Sequence, residues 1–125
     1  MSQKQIFIVD DNEMFAQMVQ DHLSHTPKYK TTIFHTGEEC LKHLHENPDL
    51  IILDFHLNDV YKEAADGLAI LEEIKKQQPK AHVIMLSSQE KYTVAAQTIS
   101  KGAEQYVVKD DNAFENISRI LKDIF

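Results

Sequence analysis

The sequence predicts an α/β domain in which five parallel strands are covered on both faces by five helices. Apolar runs at 6–9, 50–53, 83–86 and 106–108, with a weaker one at 31–34, supply the strands. The strongest runs are rich in Ile, Val and Leu and do not alternate with polar residues, a pattern of strands buried on both faces. Residues at helical spacing separate the runs. Strand–helix–strand alternation over 125 residues implies right-handed crossovers and a parallel sheet.

Each element has a local cause. After the first run, Asn12 can cap a helix whose apolar stripe is Phe15, Met18, Val19, His22 and Leu23. After the second, Thr36 can cap a helix carrying Cys40, Leu41 and Leu44. The third run leads into the widest irregular stretch, 55–65, and then to Asp66, which can cap a helix with Leu68, Leu71 and Ile74 on one face and Ile70 beside it. The fourth helix has only a weak stripe, Ala95 and Ile99. The last run is followed by Asp111 or Asn112 as cap and by Phe114, Ile117, Leu121 and Ile124, with Ile120 adjoining. Pro27, Pro48 and Pro79 fall in connections, where a missing amide donor costs least.

Composition narrows the function. The length suits one domain, expected to span 1–125. Asp and Glu number 20 against 13 Lys and Arg, for a net charge of -7, which disfavours a nucleic-acid backbone as direct partner. Apolar runs of at most four residues cannot span a membrane, and the first residues lack a signal-peptide pattern, so a cytoplasmic location is expected. Cys40 is the single cysteine, which excludes an intrachain disulfide and a cysteine zinc site. Gly37, Gly67 and Gly102 cannot form a glycine-rich nucleotide loop.

Ligands of such sheets bind beyond the carboxyl ends of the strands. There the sequence places Asp10 and Asp11 after the first strand, Asp54 at the end of the third, Ser87 and Ser88 after the fourth and Lys109 after the fifth. Two like charges about 5 Å apart at an effective dielectric of about 20 repel by roughly 3 kcal/mol. A divalent cation relieves this, and an all-oxygen site suits magnesium, with manganese or calcium as alternatives to it. Lys109 and Ser87 can offer a charge and a hydrogen-bond donor to a phosphoryl group, and Asp54 can act as nucleophile.

The pattern Ile8-Val9-Asp10-Asp11, Leu53-Asp54, Asp66-Gly67, Ser87, Gly102-Ala103, Tyr106 and Lys109 resembles a response-regulator receiver domain of two-component signalling over essentially the whole chain. The resemblance implies a flavodoxin-like, doubly wound sheet with strand order 2-1-3-4-5. It implies that Asp54 accepts a phosphoryl group from a sensor histidine kinase or a histidine phosphotransfer protein. Magnesium would be held by Asp11, Asp54 and the backbone carbonyl of His56, with Asp10 acting directly or through water. Lys109 would pair with a phosphoryl oxygen. Ser87 would be the switch hydroxyl and Tyr106 the switch aromatic, and output would pass through the fourth helix, fifth strand and fifth helix, about 91–125, to a downstream protein or output domain. His56 and Gln89 match positions that tune attack by water on the acyl phosphate. The family further implies a monomer or a phosphorylation-dependent dimer.

Two departures stand out. Asp110 follows Lys109 where the family usually has a cis proline; a cis bond before a non-proline residue costs about 2.5–4 kcal/mol, so the bond is either trans, the favoured expectation, or cis under strain, and the reach of Lys109 depends on which. The connection from Asp54 to Gly67 is longer than usual, and its residues 58–65, with Tyr61 as anchor, are either a tolerated insertion or a segment that covers the site or meets a partner. Competing readings are a partner-binding pseudo-receiver and a magnesium phosphohydrolase of the haloacid-dehalogenase type. The second lacks its second aspartate, since His56 follows Asp54 by two and Asn12 follows Asp10 by two. The chain is expected to act as a switch rather than an enzyme, either alone or as part of a longer protein.

Overall fold

Strands β1 (Lys4–Val9), β2 (Tyr29–Phe34), β3 (Leu50–Asp54), β4 (His82–Ser87) and β5 (Gln105–Val108) pair in parallel in the order β2-β1-β3-β4-β5. The computed structural model describes residues 3–58, 63–88 and 92–125. Helices α1 (Glu13–Ser24), α2 (Gly37–Lys42), α3 (Gly67–Gln77), α4 (Tyr92–Ser100) and α5 (Ala113–Ile124) connect or follow the strands. The expected strand order and the five helices are present.

Burial explains the unbroken apolar runs. Phe7, Val9, Ile51, Leu53, Val83 and Met85 point to one core, with Cys40, Ile70, Leu71 and Ile74 of α2 and α3. Their chain neighbours Ile6, Ile8, Leu50, Ile52, Ile84 and Leu86 point to the other, with Ala16, Val19 and Leu23 of α1 and Ile117 and Leu121 of α5. Successive strand residues face opposite sides, so burying both faces demands apolar residues at every position. Cys40 is a small core residue, and burial pushes its thiol up to about 12.

The start of each early helix is chemically marked. Asn12, Thr36 and Asp66 accept hydrogen bonds from the amides of Phe15, Glu39 and Ala69, as expected. Replacing Thr36 with Ala should therefore lower stability by about 1 kcal/mol in urea unfolding; an unchanged midpoint would refute the cap's contribution. At α5 the expectation needs correction. Asn112 occupies the cap position without a side-chain cap bond. Asp110 does the anchoring: its Oδ1 accepts from the Asn112 amide at 2.9 Å, and its carbonyl accepts from Ala113 at 3.1 Å.

Other stripes also shift. Met18 is 48% exposed, whereas Ala16 is fully buried, so the buried face of α1 is rotated toward its smallest apolar residue. A short side chain lets the helix approach the sheet closely. The stripe beginning at Cys40 does not stay in one helix: α2 stops at Lys42, and Leu44 is buried from a separate 3-10 turn, Leu44–Glu46. On α4, Ile99 is 46% exposed and Thr98 is buried instead, its hydroxyl donating to the Ala95 carbonyl at 2.9 Å. Gly102, at φ +109°, ends α4: its amide bonds the Ile99 carbonyl and that of Ala103 bonds Thr98. This left-handed closure suits glycine.

Candidate functional site

The central strands β1 and β3 are neighbours in the sheet, and both end in carboxylates. The crossovers diverge at this point, leaving a crevice beyond the strand ends. Asp10, Asp11 and Asp54 are all buried there, and one oxygen from each lies within 4.8 Å of the others. An open cleft of about 450 Å³ is lined by Asp11, Asn12, Glu13, Asp54, His56, Ser88 and Lys109.

The backbone holds these groups in place. The Asp10 amide extends the β1–β2 ladder to Phe34 at 3.0 Å, and the Phe55 amide extends β3 to Leu86 at 2.7 Å. Asp10 Oδ1 accepts from the Asn12 amide at 2.9 Å, and Asp54 Oδ1 accepts from the His56 amide at 3.2 Å. The Lys109 amide donates to the Ser87 carbonyl at 2.8 Å, which fixes the end of β5 against β4. From there Lys109 Nζ reaches Asp10 Oδ2 at 2.8 Å and Asp54 Oδ1 at 3.4 Å. The Lys109–Asp110 bond is trans, as expected, and does not prevent this reach.

The electrostatics follow from burial. Loss of water, and then the charge of Asp10, push the Asp54 carboxyl up to about 7; Lys109 and the His56 amide oppose them. Burial alone would lower the Lys109 pKa, but Asp54 and Asp10 outweigh it and raise the ammonium above its ordinary value. One lysine against three carboxylates leaves excess negative charge. The buried all-oxygen cluster therefore fits a hard divalent cation such as magnesium. It is the only such ligand cluster found among the described residues.

Asp10, Asp11, Asp54 and Lys109 thus meet. Ser87 is fully buried at the end of β4, and Ser88 lines the cleft. Tyr106 is half-buried against the core that contains Met85. His56 lines the cleft, stands edge-on to Phe55 at 5.0 Å between centroids, and has a buried Nε2 with no hydrogen-bond partner among the described residues. Gln89, Tyr61 and Lys91 lie outside the described residues, as do 59–62 of the lengthened connection. Its last part is tied to α2: the Ala65 amide donates to Glu38 Oε2 at 3.0 Å. Sequence reasoning missed Glu13 at the cleft and Phe15, whose ring lies under Lys109 Nζ at 4.6 Å. One signal was present: Phe15 stands in the first turn of α1, three residues after its cap Asn12 and close in sequence to the acidic pair.

A doubly wound five-stranded sheet with an acidic cluster and a bridging lysine at its carboxyl edge is the architecture of signalling receivers. A family model described as response regulator receiver domain matches residues 6–121, and the chain belongs to that family. It is 28% identical over 120 residues to the chemotaxis protein CheY of Bacillus subtilis, covering 93% of this chain and 96% of that protein. It is 34% identical over 113 residues to a putative response regulator NtrX-like of Rickettsia felis, covering 90% of this chain and 23% of that protein. With the response regulator VraR of Staphylococcus saprophyticus it shares 27% over 119 residues, covering 94% and 54%. The chain thus spans about a quarter to a half of the length of these last two relatives. Among solved structures, the receiver domain of NtrX from Brucella abortus superposes with a TM-score of 0.83 at 28% identity, covering 95% of this chain and 96% of that one. A CheY-like receiver from Methanospirillum hungatei superposes with a TM-score of 0.82 at 26% identity, covering 98% and 94%. No helix among the described residues is long and apolar enough to cross a membrane.

Proposed function

We propose that this receiver is a phosphorylatable switch spanning 1–125, with Asp54 as phosphoacceptor. The observation that supports it most is the convergence of buried Asp10, Asp11 and Asp54 with Lys109. A carboxylate oxygen of Asp54 attacks the phosphorus of a phosphohistidine on a sensor kinase or phosphotransfer protein. A phosphorus–oxygen bond forms, the phosphorus–nitrogen bond breaks, and the imidazole leaves with its electron pair. Magnesium held by Asp10, Asp11, Asp54 and the His56 carbonyl would supply positive charge against the phosphoryl oxygens. Lys109 leaves Asp54 Oδ1 for a phosphoryl oxygen, and the Ser87 hydroxyl donates to another.

The added phosphoryl carries about -1.5 to -2 charge, enough to bias a packing equilibrium through new hydrogen bonds. Tyr106 turns inward as Ser87 moves, and the surface of α4, β5 and α5 presents the result to a downstream protein or output domain. His56 and Gln89 modulate the hydrolytic water. The setting is cytoplasmic.

The test is incubation with magnesium and acetyl phosphate, followed by measurement of alkali-labile phosphate. Labelling should occur with Asp54 and vanish in Asp54→Asn and without a divalent cation. Absence of labelling in the intact protein would overturn the proposal in favour of a partner-binding pseudo-receiver. Many rapid turnovers on a phosphate ester would overturn it in favour of a hydrolase.

A further inference from the structure

We propose that Phe15 is a positioning residue for Lys109, its ring serving as the platform that keeps the ammonium beside Asp54. This rests on the reading of Asp54 as phosphoacceptor. Lys109 Nζ is 4.6 Å from the Phe15 ring centroid while it contacts Asp10 at 2.8 Å and Asp54 at 3.4 Å. The two carboxylates can occupy two of the three ammonium donors. The ring lies well within the distance at which an aromatic face attracts a cation.

The platform is braced. Phe15 stacks on Phe114 of α5, with centroids 5.6 Å apart and planes at 26°. His22, one further turn pair along α1, lies 5.6 Å from Phe114, and its Nε2 is 2.7 Å from Ser118 Oγ of α5. The stack therefore joins α1 to the first turn of α5, the helix that the connection carrying Lys109 leads into. Phe15 is only half-buried and packs at the margin of the core that Ala16, Val19 and Leu23 of α1 enter fully. Its aromatic face thus has a use that its burial alone does not account for.

The reaction gives that use its value. Lys109 is a point charge on a flexible four-carbon stem and must exchange a carboxylate for a phosphoryl oxygen. A directional hydrogen-bond partner would hold it in one place. An aromatic face tolerates lateral displacement and still disfavours escape to solvent, since the attraction is to the ring as a whole. The peptide bond after Lys109 contributes a different constraint: the Asp110 amide turns back to the Val108 carbonyl at 2.9 Å, which fixes the backbone but not the side chain.

The experiment compares Asp54 labelling by acetyl phosphate in the wild type, Phe15→Leu, Phe15→Tyr and Lys109→Ala, with the double variant Phe15→Leu/Lys109→Ala. Phe15→Leu should label about three- to tenfold more slowly, and Phe15→Tyr within about twofold of wild type. In the Lys109→Ala background, Phe15→Leu should add nothing, because the ring acts through the lysine. A second readout needs no phosphorylation: the Lys109 ε-methylene protons should be displaced upfield by the ring current in the wild type and in Phe15→Tyr, and return to ordinary positions in Phe15→Leu. Equal labelling by Phe15→Leu and wild type, or undisplaced protons in the wild type, would overturn the platform. If the wild type fails to label while the protons are displaced, the phosphoacceptor reading falls and the platform stands. Should Phe15→Leu unfold, Phe15→Met keeps a large flexible side chain without the ring and gives the same comparison.

Discussion

Gly67→Ala should cost about 3 kcal/mol or more in stability and slow Asp54 labelling by more than tenfold. A Cβ at Gly67 would lie 2.2 Å from the Asp54 carbonyl oxygen and 2.6 Å from the Phe55 Cα. Both are backbone atoms, so no rotamer change relieves the collision. The Gly67 amide also donates to the Phe55 carbonyl at 3.0 Å, tying α3 to the strand end that carries Asp54. Either α3 retreats or the Asp54–His56 backbone moves, and a shift of this kind displaces the carboxylate from its partners. Gly37 makes the informative contrast. Its added Cβ would lie 2.1 Å from Cγ1 of the Ile70 side chain. Gly37→Ala combined with Ile70→Ala should therefore cost less than the sum of the two single changes, whereas Gly67→Ala has no side chain to trim. Urea unfolding and labelling rates together decide the matter, and a Gly67→Ala protein as stable and as active as wild type would refute the close approach.

In the absence of metal, Asp54→Asn should stabilise the fold at pH 8 by about 2–4 kcal/mol. The Asp54 carboxyl is held at about 7 in the folded chain against 3.8 for an ordinary aspartate. Between those values the folded protein binds a proton that the unfolded chain releases, so stability falls as pH rises. The contribution is complete below about 3.8 and is lost as pH rises through about 7. Asparagine carries no charge to bury, so the gap between variant and wild type should be small near pH 4 and full above pH 7. Lys109 keeps Asp10 as a partner in the variant, at 2.8 Å, which limits the loss on that side. Magnesium should narrow the gap at pH 8, because a cation bound to the folded wild type adds stability by mass action. Urea unfolding at both pH values, with and without magnesium, is the check. A wild type as stable as Asp54→Asn at pH 8 without metal would mean that the cluster carries no uncompensated charge.

Legibility differed by element for physical reasons. β1, β3 and β4 are central, and their runs 6–9, 50–53 and 83–86 are buried on both sides and apolar without interruption. β2 lies at the sheet edge and is mostly half-exposed, hence its weaker signal. Reading the α1 face from large apolar residues placed Val19 and Leu23 correctly but took in Met18 and left out Ala16, because close packing selected the smaller residue. The buried Thr98 was invisible for a related reason: its hydroxyl is satisfied within its own helix, so a polar residue fits an apolar site. Asp110 replaced the expected caps of α5 because a residue two positions upstream can receive the same kind of amide bond.

The sequence by itself determined which strand end each functional side chain leaves. Alternation of strands and helices puts Asp10, Asp11, Asp54, Ser87 and Lys109 at one edge of the sheet, and their residue types limit the chemistry to carboxylates, a hydroxyl and an ammonium. Only the tertiary structure decided how these groups divide the space. It pairs Lys109 more closely with Asp10 than with Asp54, puts Ser88 on the cleft wall, and lays the Phe15 ring under the ammonium. Distances across a sheet depend on strand register and helix approach, and the charge a carboxyl carries depends on the water it has lost. Neither quantity belongs to a residue until its neighbours are in place.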